Sequence, residues 1–395
     1  MVASPGVPPG APPLATAREA GIPVVSEIEV ALRLLSDTRI IAVTGTNGKT
    51  TTTALVGHLL RSIGVTAVDA GNIGTPLSEV ALHDHPDWIA LEMSSFQLHD
   101  TPGIDPTVGV VTNLSPDHLD RYSGVEDYYA DKAILFRNAS PRSRWVLNAD
   151  DDEVLNLSAR GQEASGYRQY TQPTPGKTHL FSLENHECEA YYDRSGGALV
   201  VFGEVLLKRE DLSLFGDHNV ANALAASLAV MAADPDYATG DARERIAEGL
   251  RSFRALKHRL EVAGEYDGVL WINDSKATNV SSTLVAIQGM TRPTILLLGG
   301  RHKGEPYTAL AEPFRRIGKR VLAYGEAAPI IESDLGALVS VERLGSSFPE
   351  VIGRASEIAE SGDAILLSPA CSSYDMFRNY EERGADFKRL ARGTG

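Results

Sequence analysis

The stretch at positions 40–53, IIAVTGTNGKTTTT, constrains the fold of this chain more than any other part of the sequence. An apolar β-branched run ends at Gly45, the chain turns at Gly48, and Lys49 opens a row of threonines. Apolar residues then recur at helical spacing over positions 54–63. The pattern predicts a strand, a glycine loop and a helix. The N–H groups of such a loop and the positive end of the helix dipole suit the phosphates of a nucleotide.

The residue types at the end of this loop point to a nucleoside triphosphate with a metal ion. Lys49 would reach the outer phosphates, and the Thr50 hydroxyl would bind Mg²⁺. The full phosphate-loop pattern has a glycine where this chain has Val43, so the loop's flexibility must come from Gly45. The alternative is a tight strand-to-helix turn that happens to hold lysine and threonine. The strand–loop–helix order favours the nucleotide loop.

Strands and helices alternate from position 37 onward, which predicts an α/β fold with a mainly parallel sheet. A second series of strands begins after position 255 and predicts a Rossmann-like domain. We therefore expect a central P-loop domain over 37–254 and a C-terminal domain over 255–395. Residues 1–36 are too few to form a core of their own. Positions 167–207 alternate polar and apolar residues and predict a small antiparallel insertion.

Composition excludes several classes of protein. The net charge is −15 and there is no basic tract, so nucleic acid is not an expected partner. No apolar run approaches the roughly 20 residues that span a bilayer. Cys188 and Cys371 lie far apart and outside metal-binding spacing, which suits a reducing compartment. We expect a cytoplasmic protein without membrane contact.

Polar side chains at predicted strand ends are candidates for chemistry in the central domain. Glu92 ends the strand WIALE, a position where a carboxylate often binds Mg²⁺, although a solvated loop glutamate is the alternative. His118 follows the next strand and is equally compatible with a loop or core histidine. Lys132, on the helix that follows, looks like a surface lysine when considered alone.

Three predicted strands of the C-terminal domain also end in polar or glycine-rich clusters, at 274–279, 299–303 and 368–373. Ligands of open parallel sheets bind at the carboxyl ends of strands. The three clusters are therefore expected to line one crevice.

A series of motifs carries a resemblance to a known family. They occur in the order TGTNGKTT, GNIG, LEMSSFQL, TNLSPDHLDRY, YYADKAILF, GDHNVANALAA, KHRLE, WINDSKATN, LLLGG and LLSPACSSYDMFRNYEERG. Over essentially the whole chain they resemble the Mur ligases of peptidoglycan synthesis, with SSFQL and NDSKATN the most discriminating. The resemblance implies a monomeric, ATP- and Mg²⁺-dependent ligase. It would join D-glutamate to UDP-N-acetylmuramoyl-L-alanine through an acyl phosphate and a tetrahedral intermediate.

The resemblance also implies roles for individual residues. The catalytic residues would be Lys49, His118 and Lys132. Mg²⁺ would be held by Thr50, Glu92, His118 and a carbamylated Lys132. ATP would contact Gly45, Thr46, Asn47, Gly48, Lys49, Thr50, Thr51, Asn219, Asn222, Arg259, Asp274 and Lys276. The muramoyl substrate and D-glutamate would contact Ser4, Asn72, Ser94, Gln97, Thr278, Lys303, Ser373 and Tyr380.

Two other functions remain open at the level of sequence. Members of the family carry an N-terminal domain that binds the uridine diphosphate, and residues 1–36 resemble only its tail. The chain is therefore also compatible with a ligase-derived nucleotide-binding protein without activity. A sister ligase with another amino-acid substrate, such as another Mur enzyme or folylpolyglutamate synthase, is the second alternative.

Overall fold

The structure, a computed structural model, describes residues 1–4, 7, 10–83, 86–117, 121–163 and 174–393, with backbone only for 158–163. The chain forms two compact units. Unit 1 comprises Met1–Ser213 and Asn219–Phe253, and unit 2 comprises Leu214–His218 and Arg254–Gly395. Among the described residues, no helix combines the length and the apolar character needed to cross a bilayer.

Unit 1 is built around a nine-stranded sheet in the order β11-β10-β9-β8-β7-β6-β3-β5-β4, beside a two-stranded parallel pair, β1 and β2. The strands are β1 (Val2–Ala3), β2 (Val25–Ser26), β3 (Arg39–Thr44), β4 (Ala67–Gly71), β5 (Trp88–Glu92), β6 (Val108–Val111), β7 (Arg144–Asn148), β8 (Lys177–Ser182), β9 (Ala190–Asp193), β10 (Ala198–Val201) and β11 (Glu204–Lys208). The helices are α1 (Pro12–Glu19), α2 (Glu27–Leu32), α3 (Lys49–Ser62), α4 (Leu77–His83), α5 (Ser95–His99), α6 (Val125–Ala133), α7 (Asp152–Glu163), α8 (Asp217–Ala233) and α9 (Gly240–Ser252). Short 3₁₀ helices lie at Ile134–Phe136, Arg209–Asp211 and Pro235–Ala238.

The central strand β3 is apolar and β-branched because it is covered on both faces. Ile41 and Val43 are fully buried, as expected for a strand inside a parallel sheet. Val43 pairs with Glu92 of β5 on one side and with Val110 of β6 on the other. The residue that replaces the first glycine of the phosphate-loop pattern is therefore part of the sheet and not of the loop.

The prediction of a separate antiparallel insertion at 167–207 was wrong in part. β8 pairs in parallel with β7, and β9 pairs in parallel with β8, so both extend the main sheet. Within the described part of this segment, the antiparallel pairs are β9–β10 and β10–β11. The polar positions of β8 lie among its first residues, which are exposed, and β9 pairs only with its last two residues, Phe181 and Ser182. Residues 167–173 of this prediction lie outside the described part of the chain.

The described part of the first 36 residues belongs to unit 1 and is joined to the rest of that unit by polar contacts at β2. The backbone N–H of Ser26 donates to the Asp100 carbonyl at 2.7 Å, and its hydroxyl lies 2.6 Å from that of Thr101. Ser26 also caps α2 by accepting from the Glu29 N–H at 3.0 Å. Strand β2 is therefore held by contacts with the rest of unit 1.

Unit 2 is a six-stranded sheet in the order β12-β13-β17-β14-β15-β16, and every pair except β12–β13 is parallel. The strands are β12 (Glu261–Tyr266), β13 (Val269–Asn273), β14 (Thr294–Gly299), β15 (Gly318–Tyr324), β16 (Val341–Arg343) and β17 (Ala364–Leu367). The helices are α10 (Val280–Gln288), α11 (Ala311–Ile317), α12 (Ala328–Leu335), α13 (Phe348–Ile358) and α14 (Tyr380–Arg392), with a 3₁₀ helix at Tyr307–Leu310. Leu296 and Leu298 of β14 enter one core cluster, whereas Ile295 and Leu297 enter the other. Both faces of the sheet are thus covered, and the predicted α/β architecture is confirmed.

Candidate active site

The loop between β3 and α3 has the conformation that its two glycines permit. Gly45 and Gly48 have φ angles of +142° and +81°, which side-chain-bearing residues rarely adopt. A Cβ atom on Gly45 would collide with the Thr112 hydroxyl, and one on Gly48 would collide with the Asn222 amide. Both glycines are therefore required by conformation and by space.

Two of the backbone N–H groups of this loop donate to Asn113. Those of Thr46 and Asn47 donate to the carbonyl and the side-chain oxygen of Asn113, at 2.8 and 2.9 Å. Helix α3 begins at Lys49, and its first turn carries the positive end of the helix dipole. An anion is thus best placed at the helix N-terminus.

Lys49 and Lys132 converge on the same carbonyl of the loop. The Lys49 ammonium donates to the carbonyls of Gly45 and Thr46 at 2.9 and 2.8 Å. The Lys132 Nζ donates to the Gly45 carbonyl at 2.8 Å and lies 4.7 Å from the centre of the Tyr128 ring. Two lysine side chains therefore meet at one carbonyl of the phosphate loop, and Lys49 places positive charge beside the loop.

Lys132 is 1% exposed, so the interpretation of this residue as a surface lysine was wrong. Helix α6 carries it inward, with Tyr128 and Tyr129 buried on the same helix. Burial, and secondly the charge of Lys49, place the pKa of the Lys132 amine well below its usual range. Asp117, Asp131 and Glu92 oppose this shift. The side chain is thereby favoured as a neutral amine.

Glu92 is the carboxylate best suited to bind a metal ion in unit 1. It is 1% exposed at the end of β5, and its Oε1 accepts from the Asn72 side-chain amide at 2.8 Å. Its Oε2 is buried and has no hydrogen-bond partner among the described residues. A buried carboxylate oxygen without a donor is costly unless a cation neutralises it.

Mg²⁺ fits this arrangement. The described residues contain no cluster of three or more His, Cys, Asp or Glu side chains suited to a metal ion. Mg²⁺ needs only one or two carboxylates, together with phosphate oxygens and water. Thr50, in the first turn of α3, is the candidate hydroxyl ligand. His118 lies outside the described residues.

Asn219 and Asn222 are buried at the start of α8. The Asn222 side-chain oxygen accepts from the Thr52 hydroxyl at 3.2 Å, and its amide donates to the Asn219 side chain at 3.1 Å. Since Asn222 also lies against Gly48, it supports the helix side of the phosphate loop.

Two of the candidate substrate residues line a cavity of about 320 Å³ in unit 1. Ser4 and Gln97 lie on its wall together with Phe96, Arg121 and Tyr122. Asn72 and Ser94 are not among its lining residues. Ser94 instead caps α5 reciprocally with Gln97, whose side-chain oxygen accepts from the Ser94 N–H at 2.9 Å.

The polar clusters after β13, β14 and β17 meet at one edge of the unit 2 sheet, which confirms the expectation from sequence. The Arg383 guanidinium, fully buried on α14, holds all three clusters. It donates to the hydroxyl and carbonyl of Ser275, both at 2.9 Å, and to the Cys371 and Gly299 carbonyls at 3.1 and 3.4 Å. Sequence reasoning missed Arg383, because YEERG resembles a solvated helix surface.

The candidate ligand residues of unit 2 form pairs around these clusters. The Lys303 ammonium donates to the Thr278 hydroxyl at 3.3 Å, and the Lys276 ammonium lies 5.5 Å from the centre of the Tyr380 ring. Ser373, on the loop after β17, is buried. The described contacts thus bring together Lys303 with Thr278 and Lys276 with Tyr380.

Asp274 is a buried carboxyl group at the end of β13. Its oxygens accept from the Ser368 hydroxyl at 2.8 Å and from the Leu260 N–H at 3.2 Å. Burial raises the pKa of Asp274 to about 7, against the opposing effect of these hydrogen bonds and of Arg259. The carboxyl group therefore holds its proton to a higher pH than an exposed aspartic acid does.

Asp274 is expected to make the stability of the protein depend on pH. Its folded pKa lies above the unfolded value, so the folded state binds more protons between about pH 4 and pH 7 and loses stability as pH rises. From pH 5 to pH 8, the free energy of unfolding of Asp274→Asn should rise relative to wild type by roughly 2 kcal/mol. Denaturant unfolding at both pH values measures this difference. The exposed Asp267→Asn should follow wild type, and parallel pH profiles for Asp274→Asn and wild type would contradict the assignment.

Comparisons with known proteins agree with this geometry. Residues 43–230 match the Mur ligase middle domain, and residues 258–371 match the Mur ligase, glutamate ligase domain. The UDP-N-acetylmuramoylalanine--D-glutamate ligase of Anaeromyxobacter dehalogenans is 40% identical, over 99% of this chain and 83% of the relative. The enzyme of the same name from Salinibacter ruber is 38% identical, over 99% of this chain and 84% of the relative.

Solved structures support the fold. A UDP-N-acetylmuramate-alanine ligase, MurC, from Thermotoga maritima superposes with a TM-score of 0.64 at 18% identity, covering 100% of this chain and 85% of that chain. The MurF ligase from Thermotoga maritima in complex with ADP gives a TM-score of 0.66 at 16% identity, covering 97% of this chain and 92% of that chain. With relatives near 40% identity over almost its entire length, the chain belongs to the Mur ligase family.

Proposed function

We propose that this chain is a cytoplasmic, ATP- and Mg²⁺-dependent ligase of peptidoglycan synthesis that adds D-glutamate to UDP-N-acetylmuramoyl-L-alanine. The observation that carries the proposal is the convergence of Lys49 and the buried Lys132 on the phosphate loop, beside the unpaired carboxylate oxygen of Glu92. The named relatives supply the identity of the two substrates.

The reaction explains why Lys49, Lys132 and the N-terminus of α3 lie together at the phosphate loop. Amide formation from a carboxylate is uphill, so the substrate carboxylate first attacks the γ-phosphorus of ATP and ADP leaves. The amine of D-glutamate then attacks the acyl carbon of the resulting acyl phosphate. The tetrahedral intermediate collapses, its C–O bond to phosphate breaks, and the nitrogen loses a proton. Catalysis of these steps is mainly positioning and charge neutralisation.

In unit 1, the N-terminus of α3 and Lys49 would bind the phosphates, with Gly45, Thr46, Asn47, Gly48 and Thr51 forming the surrounding loop. Thr50 and Glu92 would hold Mg²⁺, which when bound supplies positive charge to the phosphate oxygens. The Lys49 ammonium would stabilise the negative charge that develops on the transferred phosphoryl group. His118 is proposed beside a second metal ion.

Lys132 is proposed to act as a carbamate. A neutral amine can attack the carbon of CO₂ and lose a proton, which leaves a carboxylate on the side chain. Burial favours the neutral amine, and Lys49 would stabilise the new negative charge. The modification would turn two mutually repelling lysines into an attractive pair.

Unit 2 is proposed to bind D-glutamate and to contribute to nucleotide binding. Lys303 and Thr278, which already contact each other, would bind a carboxylate of D-glutamate, with Ser373 and Tyr380 nearby. Arg259, Asp274 and Lys276 would contact the nucleotide, as would Asn219 and Asn222 of unit 1. The muramoyl substrate would contact Ser4, Asn72, Ser94 and Gln97.

The proposal is tested by measuring phosphate release from ATP with each substrate omitted in turn. Release is expected only when UDP-N-acetylmuramoyl-L-alanine and D-glutamate are both present, and L-glutamate should not replace D-glutamate. Release with a different amino acid would instead identify a sister ligase. ATP binding without any release would indicate a nucleotide-binding protein that has lost activity.

Glu92→Gln is expected to raise the Mg²⁺ concentration that gives half-maximal activity by roughly 10- to 100-fold. The amide keeps the shape of the side chain but removes the negative charge that would attract the ion. Magnesium titrations of phosphate release measure the effect, and the KM for D-glutamate should change little. The exposed Glu79→Gln is the matched control, and equal magnesium curves for the two variants would argue against a metal ligand at Glu92.

A further inference from the structure

Asn113, the second residue after β6, makes an unusually complete set of contacts with the phosphate loop. Its carbonyl accepts from the Thr46 N–H at 2.8 Å, and its side-chain oxygen accepts from the Asn47 N–H at 2.9 Å. Its side-chain amide donates to the Asn47 carbonyl, also at 2.9 Å. Asn113 therefore forms hydrogen bonds with the backbone N–H and the backbone carbonyl of Asn47, and with the backbone N–H of Thr46.

Thr112 extends the same contact surface. Its hydroxyl donates to the Asn47 carbonyl at 2.6 Å, so this carbonyl accepts from two side chains. The same hydroxyl is the atom that a Cβ on Gly45 would strike. The segment 112–113 thus packs directly against the loop as well as bonding to it.

The segment is itself held by the neighbouring strand β7 and the turn that follows it. The Asn148 side-chain amide donates to the Thr112 carbonyl at 2.9 Å. The Leu114 N–H donates to the Asp151 carboxylate at 2.7 Å, and the same carboxylate accepts from the Glu153 N–H at the start of α7. Asn113 is therefore fixed by sheet and helix on the side away from the loop.

These contacts restrict the conformations that the phosphate loop can adopt before it binds phosphate. Two of its glycines have positive φ angles, so an unbraced loop would populate many conformations and lose that freedom on binding. A carbonyl oxygen turned toward a phosphate repels it, and here the Asn47 carbonyl is held by two donors. A loop that is ordered before binding gains affinity by reducing this cost.

We propose that Asn113 is a positioning residue that holds the phosphate loop in its anion-binding conformation, acting through Thr46 and Asn47 and not by touching the nucleotide. The inference rests on the proposed function of the loop in binding ATP. It concerns the binding of the triphosphate and not the choice of amino acid.

The test compares Asn113→Ala with Asn138→Ala. Asn138 is a matched control because its side-chain amide also bridges backbone, donating to the Pro102 and Ile104 carbonyls at 2.9 and 2.8 Å, but it makes no described contact with the phosphate loop. The readouts are the Kd of a non-hydrolysable ATP analogue, the KM of each substrate and the Tm.

Asn113→Ala is expected to raise the Kd of the analogue and the KM of ATP by roughly tenfold, since two side-chain hydrogen bonds are lost. The KM for D-glutamate should stay within about twofold, because the variant leaves unit 2 unchanged. Asn113→Ala and Asn138→Ala should lower the Tm by similar amounts, but Asn138→Ala should leave the Kd of the analogue unchanged. Thr112→Val removes one of the two donors to the Asn47 carbonyl and should give a smaller increase in Kd.

Three outcomes would overturn the inference. Unchanged analogue binding in Asn113→Ala is the first, and an equal rise of every KM in Asn113→Ala and Asn138→Ala is the second. If Asn113→Ala does not fold, unchanged binding in Thr112→Val is the third. Failure of the proposed function has a different signature: wild type would bind the analogue and respond to Asn113→Ala, but would release no phosphate with D-glutamate.

Discussion

Replacing Lys132 with alanine is expected to lower the rate of D-glutamate-dependent phosphate release by about 10²- to 10³-fold. The wild-type side chain reaches the Gly45 carbonyl from a fully enclosed position, so alanine leaves a hole beside the phosphates. In the proposed carbamate form, the variant also loses the negative group that the modified side chain carries. The KM for ATP should change less than kcat, because Lys49 still contacts the loop.

Adding acetate to Lys132→Ala distinguishes the loss of a carboxylate group from a general loss of structure. A small carboxylate can enter the space left by the side chain, and adding acetate or another short carboxylate should restore part of the activity of Lys132→Ala. Lys177→Ala, at an exposed lysine of the same unit, should be fully active and insensitive to acetate. A carbon NMR signal after exposure of wild type to ¹³C-bicarbonate, absent in Lys132→Ala, would report the carbamate directly. Full activity of Lys132→Ala would refute the role.

Replacing Arg383 with methionine is expected to lower the free energy of unfolding by about 3 kcal/mol or more. Methionine has a similar length but no donors, so the buried carbonyls of Ser275 and Cys371 lose their partner. The loops after β13, β14 and β17 would then be free to separate, and the KM for D-glutamate should rise. Denaturant unfolding followed by the fluorescence of Trp271 reports on unit 2, since Trp88 and Trp145 belong to unit 1.

Two further variants on the same helix sharpen this experiment. Arg389→Met removes an exposed arginine and should leave stability within about 0.5 kcal/mol of wild type. Arg383→Lys keeps the charge, but a single ammonium cannot reach all the acceptors that the planar guanidinium of Arg383 contacts. Its free energy of unfolding should therefore lie between those of wild type and Arg383→Met. Equal stability of Arg383→Met and Arg389→Met would show that the buried contacts contribute nothing.

Some of this arrangement was predictable because it depends on local order in the chain. The β3–loop–α3 unit follows from the change of apolar period around Gly45. The gathering of the clusters at 274–279, 299–303 and 368–373 follows from the rule that parallel strands end at one edge.

Other features depend on tertiary packing, and the neighbouring sequence does not indicate them. Lys132 is buried because α6 turns that face toward the phosphate loop, and nothing in YYADKAILF specifies the direction. Arg383 lies among charged neighbours that are characteristic of a solvated helix. Asn113 contacts residues more than 60 positions away, and neither its place two residues after a buried strand nor the motif TNLSPDHLDRY indicates that contact.

The position of β17 has a consequence for how the protein is made. This strand follows the other five strands of unit 2 in the sequence, yet it lies between β13 and β14 in the middle of their sheet. Synthesis proceeds from the N-terminus, so β13 and β14 leave the ribosome with unpaired edges and wait for Ala364–Leu367. Unpaired edges invite wrong partners, and such long-range pairing is slow. The sheet of unit 2 therefore cannot be completed until Ala364–Leu367 has been synthesised, and until then the edges of β13 and β14 can pair with wrong partners.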